Sequence, residues 1–245
     1  MSDEPIPAAT LVVVRDRAAG APELLMVERA AGMAFAGGAL VFPGGRIDQT
    51  DQAGAADLDD GAARVAAIRE TIEETAIPVG LQPLPSREAA LAMQSALVAD
   101  QAFGKLLGAG IALDLAALTP LARWLPNFHV TRRFDTLFFI ARAPAGNWPP
   151  NVIPGECSGG FWITATDALE RERSGDARLI FPTRRNMERL ALHASFAAMR
   201  ADALAHPIEP ITPWVEEQDG ERFIAIPEYL GYPVTREKLD GLWRG

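Results

Sequence analysis

The 245 residues of this chain carry a formal net charge of −9, and 49% of them are hydrophobic. An acidic chain with no block of Lys or Arg does not neutralise a run of phosphates, which excludes a general nucleic-acid binder. No apolar run is long enough to span a bilayer and the first residues do not form a secretory signal, so we expect no membrane partner. The single cysteine, Cys157, leaves no internal disulfide. We therefore expect a cytoplasmic protein, with residues 1–245 forming one domain.

The first part of the chain predicts strands that lead into a glycine turn. A β-branched run at 9–15 and the stretch 23–29 predict a hairpin, and 39–42 predicts a short strand. That strand is followed at once by Pro43-Gly44-Gly45. Taken alone, such a tripeptide is common in turns and loops that have no special function. Its interpretation depends on the helix that comes after it.

This helix carries three glutamates, Glu70, Glu73 and Glu74, at spacings that place them on one face. Three carboxylates on one face repel each other unless a cation lies among them, and Mg²⁺ commonly joins protein carboxylates to substrate phosphates. A solvated acidic face is the alternative interpretation. The preceding glycine turn and a separate apolar stripe favour a metal site. The apolar stripe consists of Val65, Ile68 and Ile72.

The order of glycine turn, Arg-Glu and Glu-Glu resembles the Nudix box. The matching positions are Arg69, Glu70, Glu73, Glu74 and Ile77. Thr71 stands where an aliphatic residue is usual, and Ala76 stands where glycine is usual. From Gly45 to Arg69 there are 24 positions instead of the fourteen that the pattern has, so the loop inside the box is longer.

The pattern also has a glutamate eight positions before its arginine, and here that position is Gly61. Candidates to replace the glutamate are Asp57, Asp59 and Asp60. Arg69 precedes Glu73 by four residues, and we expect it to orient a carboxylate as part of the catalytic group. The resemblance implies that the carbonyl of Gly44 is an additional metal ligand.

The resemblance implies an α+β fold, an α/β/α sandwich around a mixed sheet. It also implies hydrolysis, dependent on Mg²⁺ or Mn²⁺, of the diphosphate bond of a nucleoside diphosphate linked to another moiety. Residues 23–48 and the long box loop are similar to the coenzyme A diphosphatase branch, which implies coenzyme A or an acyl-CoA as substrate. Two alternatives remain open: a hydrolase of ADP-ribose or NADH, and a non-catalytic nucleotide sensor, which Gly61 and Ala76 motivate.

Arginines are the predicted phosphate contacts, because a guanidinium binds oxygens in a bidentate manner. The candidates are Arg29, Arg46, Arg123, Arg132 and Arg133. A surface position is an equal alternative for Arg29, and an ion pair with Asp135 is the alternative for Arg123 and Arg133.

Glu156 precedes a predicted strand at 159–163. By the resemblance it is an extra metal ligand or the general base, and a solvated glutamate at the strand edge is the alternative. Glu73 is the other candidate for the base. His129 is assigned to a loop without a catalytic role.

The remaining chain predicts further helices around this centre. Residues 84–118 predict a helical insertion with one helix at 87–107, which forms a lid, a substrate wall or the contact of a homodimer. Strands are expected at 121–125 and 137–141, and helices at 164–172 and 184–205. The tail at 207–245 is expected to be extended and packed on the surface, because its aromatic side chains would otherwise be exposed.

Overall fold

The computed structural model describes residues 4–33, 36–55, 58–108, 110–126 and 133–239. Three residues singled out in the sequence lie outside this part: Asp57, His129 and Arg132. The described strands are β1 (Ile6–Arg15), β2 (Glu23–Arg29), β3 (Ala39–Val41), β4 (Gly44–Arg46), β5 (Leu81–Gln82), β6 (Ala112–Leu113), β7 (Thr119–Trp124), β8 (Phe134–Arg142), β9 (Cys157–Thr164), β10 (Arg178–Leu179), β11 (Pro210–Ile211), β12 (Trp214–Gln218), β13 (Glu221–Ala225) and β14 (Arg236–Lys238). The described α-helices are α1 (Gly61–Thr75), α2 (Arg87–Val98), α3 (Phe103–Leu106), α4 (Ala165–Arg173), α5 (Phe181–Leu190) and α6 (Phe196–Ala205).

Nine strands form one mixed sheet, and helices cover both of its faces. The path runs β10-β3-β2-β1-β8-β7-β11, with β4 paired to β1 and β9 paired to β2. The central strands β1 and β8 are parallel, whereas β1–β2, β2–β9 and β7–β8 are antiparallel. This arrangement confirms the predicted α+β sandwich with a mixed sheet.

Alternating side chains of the central strands fill two separate cores, as a strand period of two requires. Leu11 and Phe139 point into the core beneath α1 and α2. Val12 and Ile140 point into the core beneath α5 and α6. Because both faces are covered, the β1 sequence is a continuous apolar run instead of an alternating one.

Two predicted helices are each broken in the structure. The helix expected at 87–107 ends at Val98, and Asp100 adopts a left-handed φ of 59° before α3 begins at Phe103. The helix expected at 184–205 is divided into α5 and α6, because Ser195 caps α6 by accepting the Ala198 N–H at 3.2 Å. In both cases the apolar pattern continues through the break, so periodicity alone did not indicate it.

The tail contributes side chains to the core on the α5 side of the sheet. Those buried there are Ile211, Ile226, Leu230 and Tyr232. Strands β12, β13 and β14 form a separate three-stranded sheet. Trp214 and Tyr229 stay exposed, at 44% and 60%, contrary to the expectation that the aromatic side chains of the tail are packed. Every described helix is too short or too polar to reach across a lipid bilayer.

Candidate active site

The glycine turn is held directly against the glutamate-bearing helix. Strand β4 pairs with β1, and Gly44 lies opposite Thr10. The Gly44 N–H donates to Glu74 Oε2 at 3.1 Å. A Cβ on Gly45 would lie 2.4 Å from Glu70 Oε1, so a side chain at this position would displace the Glu70 carboxylate. The turn thus brings backbone groups next to two of the three predicted metal ligands.

Arg69 connects the remaining groups of the box. Arg69 is 6% exposed, and its Nη1 donates to Glu70 Oε1 at 2.9 Å and to Glu73 Oε2 at 3.3 Å. Its Nη2 donates to the Arg46 carbonyl at 2.9 Å. The predicted orienting role of Arg69 is consistent with these contacts, since one guanidinium contacts two of the three glutamates.

Asp51 completes this network and was missed in the sequence. It is 1% exposed and accepts from Arg69 Nε at 3.0 Å and Nη2 at 3.1 Å. The Asp48 N–H donates to the same carboxylate at 2.8 Å. The missing box glutamate was sought eight residues before Arg69. Counted from the glycine end, the pattern places it six positions after the second glycine, and Asp51 is six positions after Gly45.

The two described candidates for that glutamate, Asp59 and Asp60, lie elsewhere. Asp60 pairs with Arg64 at 2.8 Å, and Asp59 lines a separate cavity of about 330 Å³. A Cβ on Gly61 would lie 1.9 Å from the Ala55 carbonyl oxygen, so no side chain fits at that position. Counting six positions forward from Gly45 reaches Asp51. Counting eight positions back from Arg69 reaches Gly61 instead, because the extra residues of the loop lie between Asp51 and Arg69.

The other two departures from the pattern also have local explanations. Thr71 is fully buried where an aliphatic residue is usual, and its hydroxyl donates to the Ala67 carbonyl at 2.7 Å within the helix. Ala76 stands where glycine is usual and has a left-handed φ of 55° at the end of α1. Glycine adopts this conformation without strain, which explains why the pattern usually has glycine at this position.

In the absence of a cation, partial burial disfavours the charged form of the three glutamates. It raises the pKa of Glu70 to about 7, with Arg69 opposing the shift and Glu73 adding to it. It raises the pKa of Glu74 to about 8, with the charge of Glu70 adding and the Gly44 amide opposing. The pKa of Glu73 is also raised, mainly by burial. Mutual repulsion of half-buried carboxylates is the condition that a cation relieves.

A cleft of about 1840 Å³ opens beside these glutamates. Several other predicted site residues line it: Arg29, Arg46 and Glu156. Arg29 lowers the pKa of Glu74, whereas Glu156 raises that of Glu70, so both lie within electrostatic reach of the box. The structure therefore brings these three together with Glu70, Glu73 and Glu74.

Cys157 is buried next to the same carboxylates. Its Sγ lies 3.7 Å from Glu74 Oε1. Burial and the charge of Glu74 raise the pKa of its thiol, which keeps it protonated. This agrees with the expectation of a small buried residue.

Arg123 and Arg133 do not line the cleft within the described residues. Arg123 donates to both Asp135 oxygens, at 2.8 and 2.5 Å, which is the ion pair that the sequence offered as the alternative. Strand alternation explains the placement: Trp124 and Thr136 are opposite each other and line the cleft, so Arg123 points to the other face. The Arg133 carbonyl accepts the Ile6 N–H at 2.8 Å.

The segment between β5 and β7 supplies one wall of the cleft. Its lining residues include Leu97, Val98, Asp100 and Phe103. Fully buried Gln94 ties this segment to α1, donating to the Glu73 carbonyl at 3.0 Å and to the Asn151 carbonyl at 2.7 Å. Asp100 raises the pKa of Glu73, which places the wall close to the glutamates.

The donor set suits a hard divalent cation, since Glu70, Glu73 and Glu74 offer carboxylate oxygens. In the part of the chain that the structure describes, no three acidic, histidine or cysteine side chains converge on one point. Arg69 draws Glu70 and Glu73 toward itself, so both have to rotate toward the cleft to share an ion. Their raised pKa values and their carboxylate oxygens make the three residues compatible with a metal site.

Solved structures resemble this chain over most of its length. A NUDIX hydrolase from Alicyclobacillus acidocaldarius is 31% identical, with a TM-score of 0.70, over 80% of this chain and 96% of that one. The NUDIX domain of Shewanella oneidensis NrtR, complexed with ADP ribose, is 15% identical, with a TM-score of 0.47, over 76% and 86%. A C. elegans Ap4A hydrolase is 15% identical, with a TM-score of 0.39, over 82% and 95%. No family model matches the chain.

The first of these similarities covers nearly the whole of the other protein, and the chain therefore belongs to the Nudix hydrolase family. The protein is a Nudix-type pyrophosphohydrolase, which hydrolyses the diphosphate bond of a nucleoside diphosphate derivative. The enzyme prediction is thus confirmed.

Proposed function

We propose that this enzyme uses Mg²⁺ or Mn²⁺, held by Glu70, Glu73 and Glu74, to hydrolyse the diphosphate bond of coenzyme A or an acyl-CoA. The observation that supports the metal is a group of three half-buried carboxylates beside a large cleft, with pKa values raised by partial burial. The Gly44 carbonyl is the additional ligand that the family pattern implies. When bound, a divalent cation neutralises phosphoryl charge and lowers the pKa of a coordinated water.

The side chains around the glutamates bind and orient the substrate. Arg29 and Arg46 line the cleft and are the arginines placed to contact phosphate oxygens. Arg69 acts as a positioning residue, because it is buried and contacts Glu70 and Glu73. Glu73 or Glu156 accepts the proton of the attacking water, since both face the cleft.

The size of the cleft and its apolar wall support coenzyme A as the substrate. A volume of about 1840 Å³ admits a substrate with two large halves. Val98 lines the cleft and is 48% exposed, and Leu97 and Phe103 line it beside Val98. Such a wall suits the extended, weakly polar arm of coenzyme A. Of the roles considered for residues 84–118, this lining supports a substrate wall inserted into a single domain.

The metal assignment is tested with Glu73→Gln. The variant keeps the shape of the side chain but loses its charge, so we expect Mg²⁺-dependent turnover to fall by about 10² to 10⁴-fold with the melting temperature retained. Glu217→Gln, an exposed glutamate in β12, is the matched control and should retain full turnover. Unchanged turnover of Glu73→Gln would contradict the assignment.

The substrate is tested separately with a panel of diphosphates. We expect release of 4′-phosphopantetheine from coenzyme A, or of its acylated form from an acyl-CoA, to be the fastest reaction with Mg²⁺ or Mn²⁺. Faster hydrolysis of ADP-ribose, NADH or a diadenosine polyphosphate would replace coenzyme A in the proposal. Turnover of none of them would contradict both the substrate class and the metal role.

A further inference from the structure

The cleft has a second end, which lies on the opposite face of the sheet from α1. Four side chains of β7 and β8 line it: Trp124, Phe134, Thr136 and Phe138. Phe181, at the start of α5, also lines this end, and its ring meets that of Trp124 edge-on with 5.8 Å between centroids. None of these residues takes part in the metal site or its arginine network.

The strand register sets the distance between the two ends. Gly44 is opposite Thr10 on β1, and Thr10 is opposite Phe138 on β8. Because neighbouring strands lie about 4.8 Å apart, the backbones of Gly44 and Phe138 are about 10 Å apart. The Gly44 amide holds Glu74, so the carboxylates lie about two strands away from Phe138. Phe134 is opposite Ile6, four residues further along β8, so a nucleotide that reaches Phe134 extends along this strand.

Two arginines line the cleft close to Phe181 in the sequence: Arg178, which is exposed, and Arg184, which is already paired. Arg184 lines this end, and its guanidinium lies 3.0 Å from Glu172 and 2.6 Å from Glu237. A phosphate bound there would compete with two carboxylates for the guanidinium. An uncharged ring does not face that competition, so the position next to Arg184 favours a neutral aromatic group.

The rings at this end differ in exposure, and the Arg185 guanidinium lies over the Phe181 ring, 5.1 Å from its centroid. Phe134 and Phe181 are half-buried, whereas Trp124 and Phe138 are buried. Successive bases stack on such partly accessible aromatic faces in many nucleotide-binding proteins. Half-buried Thr136 adds a hydroxyl, which both donates and accepts hydrogen bonds at the edge of a base.

We propose that Phe134 and Phe181, together with Trp124 and Phe138, form the subsite that stacks the nucleobase of the substrate. The inference rests on the proposed function, because it takes the diphosphate to lie at the glutamates. It orients the substrate: the nucleoside half extends across β1 and β8, and the other half extends toward the wall at Leu97 and Val98.

The test compares two ligands that differ by the nucleoside. Binding of ADP and of inorganic pyrophosphate, each with Mg²⁺, is measured by calorimetry for the wild type, Phe134→Leu and Phe181→Leu. We expect each substitution to lower the affinity for ADP by at least about fivefold, because a stacking face is lost. The affinity for pyrophosphate should stay unchanged. Phe134→Tyr keeps the ring and should retain ADP affinity, which separates stacking from misfolding.

The matched control is Phe223→Leu, a half-buried phenylalanine in β13 that does not line the cleft. It should bind both ligands as the wild type does. Equal weakening of ADP and pyrophosphate, or unchanged ADP affinity in both leucine variants, would overturn the subsite. Unchanged ADP affinity together with normal turnover of a diphosphate substrate would overturn the subsite alone. Absence of ADP binding and of turnover in the wild type would overturn the proposed function as well.

Discussion

At the scale of single residues, the active site depends on how Arg69 is held. Asp51 and Arg69 are buried together and joined by two hydrogen bonds. A buried ion pair is stable only when its remaining groups are also bonded, and here the Asp48 N–H and the Arg46 carbonyl complete it. Burial lowers the pKa of the Arg69 guanidinium, but Asp51 and Glu70 outweigh it, so the net shift is upward. Arg69 therefore stays charged.

Replacing Asp51 with Asn tests this support. The amide keeps the shape but leaves Arg69 without its buried counter-charge, so Arg69 no longer holds Glu70 and Glu73 in place. We expect metal affinity or turnover to fall by about 10- to 100-fold, as loss of groups that orient metal ligands usually does. Steady-state kinetics as a function of Mn²⁺ concentration measures the effect. Asp59→Asn, at an exposed position of the same loop, is the control, and equal kinetics for both variants would refute the role of Asp51.

At the scale of elements, the end of α1 carries strain that glycine would relieve. Ala76 has a φ of 55°, and its N–H donates to the Ile72 carbonyl at 2.8 Å. The Cβ of alanine is disfavoured in the left-handed region. The turn leads directly into Ile77, which is fully buried, so the chain has to reverse at Ala76 to reach the core.

We expect Ala76→Gly to raise the free energy of unfolding by about 0.5 to 1 kcal/mol, because it removes this strain. Denaturant unfolding of the metal-free protein measures the change. The control is Ala92→Gly, at an exposed position inside α2, which should lower the free energy of unfolding by about 1 kcal/mol. Destabilisation by both substitutions would show that Ala76 is not strained.

At the scale of the whole molecule, the tail is joined to the sheet and to α5. The Tyr232 hydroxyl donates to Asn186 Oδ1 at 2.8 Å and accepts from Trp124 Nε1 at 3.2 Å. Glu237 of β14 lies 2.6 Å from Arg185 of α5. Glu188, one turn further along α5, lies 3.0 Å from the same guanidinium. The tail thus stabilises the face of the sheet on which the aromatic end of the cleft lies.

This cluster makes the stability of the fold depend on pH. Burial raises the pKa of Glu188 to about 7 from 4.5, and Arg185 only partly opposes the shift. Between these two values the folded chain holds a proton that the unfolded chain has lost, so the free energy of unfolding falls as the pH rises through this window. Above the pKa of the folded state, Glu188 is charged in both states, so its effect on the free energy of unfolding no longer changes with pH.

Glu188→Gln removes this titration and keeps an oxygen acceptor for Arg185. We expect the fall in unfolding free energy between pH 5 and pH 8 to be smaller than in the wild type by about 1 to 3 kcal/mol. Denaturant unfolding at both pH values measures it, with the exposed Glu217→Gln as the control. A variant whose fall matches the wild type would show that Glu188 titrates normally.

Local patterns in the sequence determined the strands, the box helix and the glutamate face of this protein. The β-branched run of β1 and the spacing of Glu70, Glu73 and Glu74 are properties of short stretches, and short-range sterics set strand and helix periods. The class of reaction followed from the glycine turn and this helix taken together. Breaks within apolar stretches, as at Asp100, were missed because the pattern continues across them.

Only the tertiary structure decided which distant residues meet. Asp51 pairs with Arg69 across the long loop, and Arg123 pairs with Asp135 and turns away from the cleft. The aromatic end of the cleft joins Phe181 to Trp124 and Phe134, which lie on separate elements. Such contacts depend on strand register and on the packing of both faces of the sheet, which residues close in sequence do not set.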